Sequence, residues 1–164
     1  GKVVLEGTGR SLADVLGGAD GAVQFGMSGG SFSELLLALA DLDIQNALFL
    51  YITDDHRIPI RCVAGGLTFS KGNAKFSRTL IDTKESVVYV KGNLDLKAQT
   101  TTTELDADSK VVSVLNIPAP ILIQGKIRAP KFSLGKGFPL PVPRIGDAKD
   151  APCDQMLEDI MKGS

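Results

Sequence analysis

The sequence predicts an α+β fold: a strongly twisted, mainly antiparallel β-sheet of about six to eight strands with two or three short helices packed on it. Three observations predict it. Residues 57–98 read as three successive strands separated by turn signals. Within them, Val88, Val90, Leu94, Leu96 and Ala98 fall on one face, and Tyr89, Lys91, Asn93, Asp95 and Lys97 on the other. Successive strand side chains point to opposite faces, so a period of two marks a half-buried strand, here running roughly 35 Å at about 3.3 Å per residue. Helical spacing, by contrast, is confined to short capped segments.

The elements follow in order. Lys2 to Glu6 reads as a short strand. Ser11 caps a short helix, Leu12 to Leu16, closed by Gly17 and Gly18. Ala22 to Met27 is the next strand. Ser31 and Glu34 form a capping box before Leu35, Leu36, Leu39 and Leu42, which sit at helical spacing and are continued by Ile44, Leu48 and Phe49. Residues 54–57 are a charged turn. Ile58, Ile60, Cys62 and Ala64 then alternate inward until Gly65-Gly66 shifts the register to Leu67 and Phe69, as a bulge does. Lys71-Gly72-Asn73 is a hairpin turn. Ala74, Phe76 and Leu80 form one face of the next strand, and Asp82 to Glu85 turn into the long strand. Thr100 to Asp108, rich in β-branched Thr, is another strand. Val111 to Asn116 connects it to a last edge-like strand carrying Ile121, Ile123 and Ile127, preceded by Pro118 and Pro120. From Lys131 the chain turns Pro- and Gly-rich until a short terminal helix, Asp154 to Met161. The organisation expected is therefore a β-rich domain over 1–134 and a tail over 135–164.

At 164 residues the chain is one domain with room for a core. A net charge of −1 gives no global field to recruit nucleic acid or an anionic membrane. With no Trp and nine Tyr and Phe, stacking platforms for sugars or single-stranded nucleic acid are disfavoured. No stretch approaches the ~20 apolar residues of a membrane helix.

Catalytic motifs are incomplete. Gly26-Met27-Ser28-Gly29-Gly30 matches the G-x-S-x-G elbow between a strand and a helix. Its base would have to be the single His56, whose nearest acids, Asp54 and Asp55, share its turn and make a relay awkward. The strands after residue 57 are joined by hairpins, whereas the hydrolase fold needs a parallel sheet with crossovers. Gly7-Thr8-Gly9 lacks the third glycine of a dinucleotide loop, since Leu12 occupies its place. One His and two distant Cys offer no metal set, and no cofactor is expected. Asp41 with Asp43 and Asp106 with Asp108 are pairs of the kind found at turns and caps. Lys126, Arg128, Lys131 and Lys136, interleaved with Phe132 and Phe138, read either as a solvated edge or as a lip for a headgroup or partner. Cys62 and Cys153 admit two readings, free thiols or one disulfide, and composition leaves both open.

Several blocks together resemble the C-terminal region of the AsmA family. These are Leu5 to Leu16 followed by Gly21-Ala22-Val23, then Pro59 to Ala64 with Phe69, Lys71-Gly72 and Leu80-Ile81-Asp82-Thr83, then Gly92-Asn93-Leu94-Asp95-Leu96, and finally Ile117-Pro118-Ala119-Pro120-Ile121 with Gly125 and Pro130. The resemblance runs in order over roughly residues 3–134; the Thr100–Thr103 run departs from it. It implies a periplasmic domain of an envelope protein held in the inner membrane by an N-terminal helix, with a role in phospholipid transport and outer-membrane homeostasis along an elongated β-groove.

On that implication Val88, Val90, Leu94, Leu96, Ile121 and Ile123 are the candidate lipid-contact residues of a non-catalytic domain. The alternative is that they pack beneath the helices as ordinary core. The expected partners are a phospholipid or other envelope lipid, and an outer-membrane or envelope protein, with no nucleic acid. A docking module without a lipid path and a small serine hydrolase using Ser28 are the rival readings. A periplasmic setting also favours the Cys62–Cys153 bond, which would pin the tail to the inward strand face beside Ile60 and Ala64.

Overall fold

The computed structural model describes residues 1–31, 59–111, 120–135 and 146–162. Among them, eight strands form one antiparallel sheet in sequential order. They are β1 (Lys2–Glu6), β2 (Asp20–Ser28), β3 (Ile60–Ser70), β4 (Asn73–Thr83), β5 (Ser86–Asp95), β6 (Thr100–Ser109), β7 (Ile121–Lys126) and β8 (Ala129–Leu134). Two helices accompany them, α1 (Leu12–Gly17) between β1 and β2, and α2 (Cys153–Lys162) after the sheet. The antiparallel sheet and the two helices among the described residues are compatible with the α+β class expected. The helical region expected after Ser31, the turn at 54–57 with Ile58 and His56, and the connector 112–116 lie outside them; Ser31 itself forms an isolated antiparallel bridge with Pro59.

Local chemistry explains the elements. The Ser11 hydroxyl accepts the Asp14 N–H at 3.1 Å, satisfying one orphan donor of α1. The β3–β4 hairpin closes through Lys71-Gly72, both with positive φ (48° and 78°), the signature of a two-residue type I′ turn. Gly92 has φ +122°, and a Cβ there would lie 2.1 Å from the Thr102 carbonyl oxygen, so β5 and β6 can approach only because the position is Gly.

Four expectations change. The register does shift between Ala64 and Gly66, but the surplus residue is on β4, where Arg78 takes φ 45° and the Thr79 hydroxyl is hydrogen-bonded to both the N–H and C=O of Gly66. Asp82 is not in a turn; it lies inside β4, fully buried. β5 ends at Asp95, so Leu96 and Ala98 belong to the following turn, where Asp95 accepts the Ala98 N–H at 2.7 Å. Ile127 is likewise in a turn, because the chain reverses at 127–128 into β8, a strand the Pro-rich composition concealed. Pro130 is tolerated there on an edge strand.

Two clusters form the buried core. Ala19, Phe69 and Ala74 are joined by Leu5, Val23, Leu67, Leu94 and Leu96. Cys62, Leu80 and Val87 are joined by Ala151, Cys153, Met156 and Leu157.

Candidate functional site

Cross-strand partners share a face, so the register reads out both sides of the sheet. One row is Met27, Val63, Ile81, Val88 and Ala107. The next is Thr79, Val90, Leu105, Ile121 and Leu134. A third is Gly92, Thr103, Ile123 and Phe132. At the turn end, Leu5, Gly21, Phe69, Ala74, Leu94, Thr101, Gly125 and Pro130 cross all eight strands. This face is apolar from β1 to β8. Of its buried threonines, Thr101 and Thr103 hydrogen-bond each other through their hydroxyls at 2.8 Å and Thr79 bonds the Gly66 backbone, which masks their polarity.

Of the six candidate lipid-contact residues, Val88, Val90, Leu94, Ile121 and Ile123 share this face, and all five are half-buried. Leu96 is not on a strand; from the β5–β6 turn it packs with Leu94 against the Ala19–Phe69–Ala74 cluster. Periodicity missed Phe132 and Leu134, because β8 was not recognised, and Leu105, because acidic residues surround it.

The opposite face is polar along much of its width, with rows such as Lys75, Asn93, Thr102, Gln124 and Lys131. Its other end is covered by α2. A Cβ built on Gly26 would sit 2.5 Å from Leu157 Cδ2 and 3.2 Å from Ile160 Cδ1, so the helix seats where β2 lacks a side chain. A disulfide joins Cys62 to Cys153, with Cα atoms 5.9 Å apart. Beside it is a charge cluster. Asp82, fully buried, accepts from Arg61 Nη1 at 2.6 Å, from Lys110 Nζ, and from the Ala151 N–H at 3.3 Å. Lys110 also donates to the Thr83 carbonyl and to Asp150 Oδ1, each at 2.7 Å, and Arg61 meets Asp150 at 2.8 Å. The hydrogen bond from Lys110 holds the Asp150 carboxyl below its ordinary range, helped by the charges of Lys110 and Arg61 and opposed by desolvation. The cluster thus clips the segment before α2 to β3, β4 and the end of β6.

The sequence motifs find no catalytic setting among the described residues. Ser28 is the last residue of β2, paired with Cys62 in regular antiparallel register and exposed, while His56, Asp54 and Asp55 lie outside the described residues. Cys62, Asp82 and Cys153 bring ligand atoms within 4.8 Å of one another, but the two sulfurs are bonded to each other and offer no thiolate to a metal. An open cleft of ≈ 550 Å³ lies beside Cys153 between Ile60, Arg61 and residues 151–155, and none of the six candidates lines it.

Comparison with known proteins gives one relative. Over 137 residues, 84% of this chain, the sequence is 24% identical to the AsmA family protein YhjG of Escherichia coli (strain K12). The chain is similar to this AsmA family protein over most of its own length. The matched stretch is 20% of that protein, so this AsmA-like chain spans about a fifth of its relative's length. No protein-family model matches the chain, and no solved structure does. Among the described residues of this AsmA-like chain no helix is long and apolar enough to cross a membrane.

Proposed function

We propose that this AsmA-like domain is a non-catalytic, periplasmic part of a cell-envelope protein whose apolar sheet face lines a path for phospholipid acyl chains. The full-length protein would be held in the inner membrane and would take part in lipid traffic to the outer membrane. One observation carries the reading: an apolar face continuous over eight strands, backed by a face that is polar along much of its width. Acyl chains require a continuous apolar lining and little specific chemistry, and the half-buried state of Val88, Val90, Ile121 and Ile123 suits side chains that meet a ligand. An antiparallel sheet with one solvated face ordinarily packs the other on a core, so the test must separate lining from core.

Native mass spectrometry of the purified domain is that test. Co-purified phospholipid, lost in a folded Val90→Asp variant, is the expected result. If Val90→Asp instead unfolds the domain and the wild type carries no lipid, the face is core and the lipid path is excluded. Covalent labelling of Ser28 by a fluorophosphonate would replace both readings with a hydrolase.

A further inference from the structure

The apolar face ends at a rim of turns, and that rim is built rather than frayed. The Gly72 N–H donates to the Ala19 carbonyl at 2.9 Å, the Leu96 N–H to the Gly72 carbonyl at 2.9 Å, and the Ile127 N–H to the Gln99 carbonyl at 2.9 Å. These bonds tie the end of the β1–β2 connection, the β3–β4 turn, the β5–β6 turn and the β7–β8 turn side by side. The β5–β8 corner carries Lys97, Lys126 and Arg128, with Lys131 just inside it, all exposed. None of the four has an ion-pair partner among the described residues; Lys126 Nζ reaches only the Ala98 carbonyl, at 3.2 Å. The acid at this corner, Asp95, is engaged by the Ala98 N–H. The last apolar row before the rim holds Leu94, Thr101, Gly125 and Pro130, and half-buried Leu96 and Ile127 sit in the turns themselves.

We infer that this corner docks onto an anionic phospholipid bilayer, Lys97, Lys126 and Arg128 at the rim turns meeting headgroup phosphates where the apolar face opens. Unpaired exposed cations on ordered turns complement an anionic surface, and their continuity with the apolar rows sets a headgroup beside the place its acyl chains would enter. The inference extends the lipid-path reading and rests on it for its purpose, but its test does not depend on lipid occupancy.

The test is flotation with vesicles of phosphatidylcholine alone and of phosphatidylcholine mixed equally with phosphatidylglycerol. The domain should bind the mixed vesicles, bind neutral ones far less, and be released as salt rises. Each cation near such a surface gives roughly a five-fold gain in partitioning, so Lys97→Gln/Lys126→Gln/Arg128→Gln should bind about 100-fold more weakly. Lys2→Gln/Lys84→Gln/Lys149→Gln, which removes equal charge away from the corner, should lose much less. Inorganic phosphate at matched ionic strength should not compete. Equal loss in the two triple variants, equal binding to neutral vesicles, displacement by free phosphate, or no binding to mixed vesicles would each overturn the inference. Co-purified lipid is scored separately by mass, so failure of the corner and failure of the lipid path are read apart.

Discussion

Asp82 sits at the centre of the most consequential polar contacts in the described chain. Its carboxylate has no solvent exposure and is met by two cations and a backbone N–H. Removing one member of a buried ion set strands the others, at a cost on the order of 3 kcal/mol. Asp82→Leu should therefore destabilise the domain by about that much in urea unfolding. Asp82→Leu combined with Lys110→Met should recover a large part of it, because Arg61 and Asp150, both partly exposed, still pair with each other. A double variant as unstable as the sum of the singles would show that the ions are not coupled. Asp150 adds a pH dependence of known sign. Its folded-state pKa is depressed, so its contribution is full above the ordinary carboxylate value near 3.9 and fades as pH falls through the lower folded value. Asp150→Asn should melt lower than wild type at pH 6, and the gap should close below about pH 4. The exposed side of the pair is solvent-screened, so salt should also narrow the gap.

At the level of elements, the disulfide and α2 act as one latch. Bridging positions 91 residues apart limits the unfolded chain and is worth roughly 4–5 kcal/mol in the entropic account, less where strain intervenes. Unreduced, denatured protein should take up no alkylating reagent, whereas Cys153→Ser should melt lower and exchange α2 amides faster. Gly26→Val tests the seat of the helix separately, since its side chain would occupy the space of Leu157 and Ile160. What the sequence revealed about these elements follows from where their partners lie. The alternation in β5 was legible because one of its faces meets solvent. The terminal helix was legible from its own spacing and the cysteine before it. Val87 was not legible as core, because α2, which arrives some seventy residues later, covers it on the face opposite Val88. Asp82 read as a turn residue because carboxylates ordinarily are; the partners that make burial tolerable come from positions 61, 110 and 151. β8 was hidden by Pro130, which is compatible with a strand only at an edge.

For the molecule as a whole, the decisive property is the asymmetry of the sheet. Bulges usually scramble a face, yet the extra residue at Arg78 brings Ile81 and Ala74 to the same side, so the apolar rows of β3 to β5 stay aligned across the shift. Adjacent residues on one strand then report on different environments, since a step of one exchanges faces. Leu94 lies on the apolar face opposite Ala74 and Thr101, while Asn93 lies on the polar face opposite Lys75 and Thr102. Replacing each by Asp makes a matched pair: same strand, same new charge, opposite sides. Asn93→Asp should leave both the melting temperature and co-purified lipid close to wild type. Leu94→Asp should remove the lipid, and because Leu94 also touches the Ala19–Phe69–Ala74 cluster it should lower the melting temperature as well. The separate Val90→Asp variant, away from that cluster, should lose lipid with a smaller thermal penalty. If Leu94→Asp and Asn93→Asp retain equal amounts of lipid, the apolar face is not where the lipid lies.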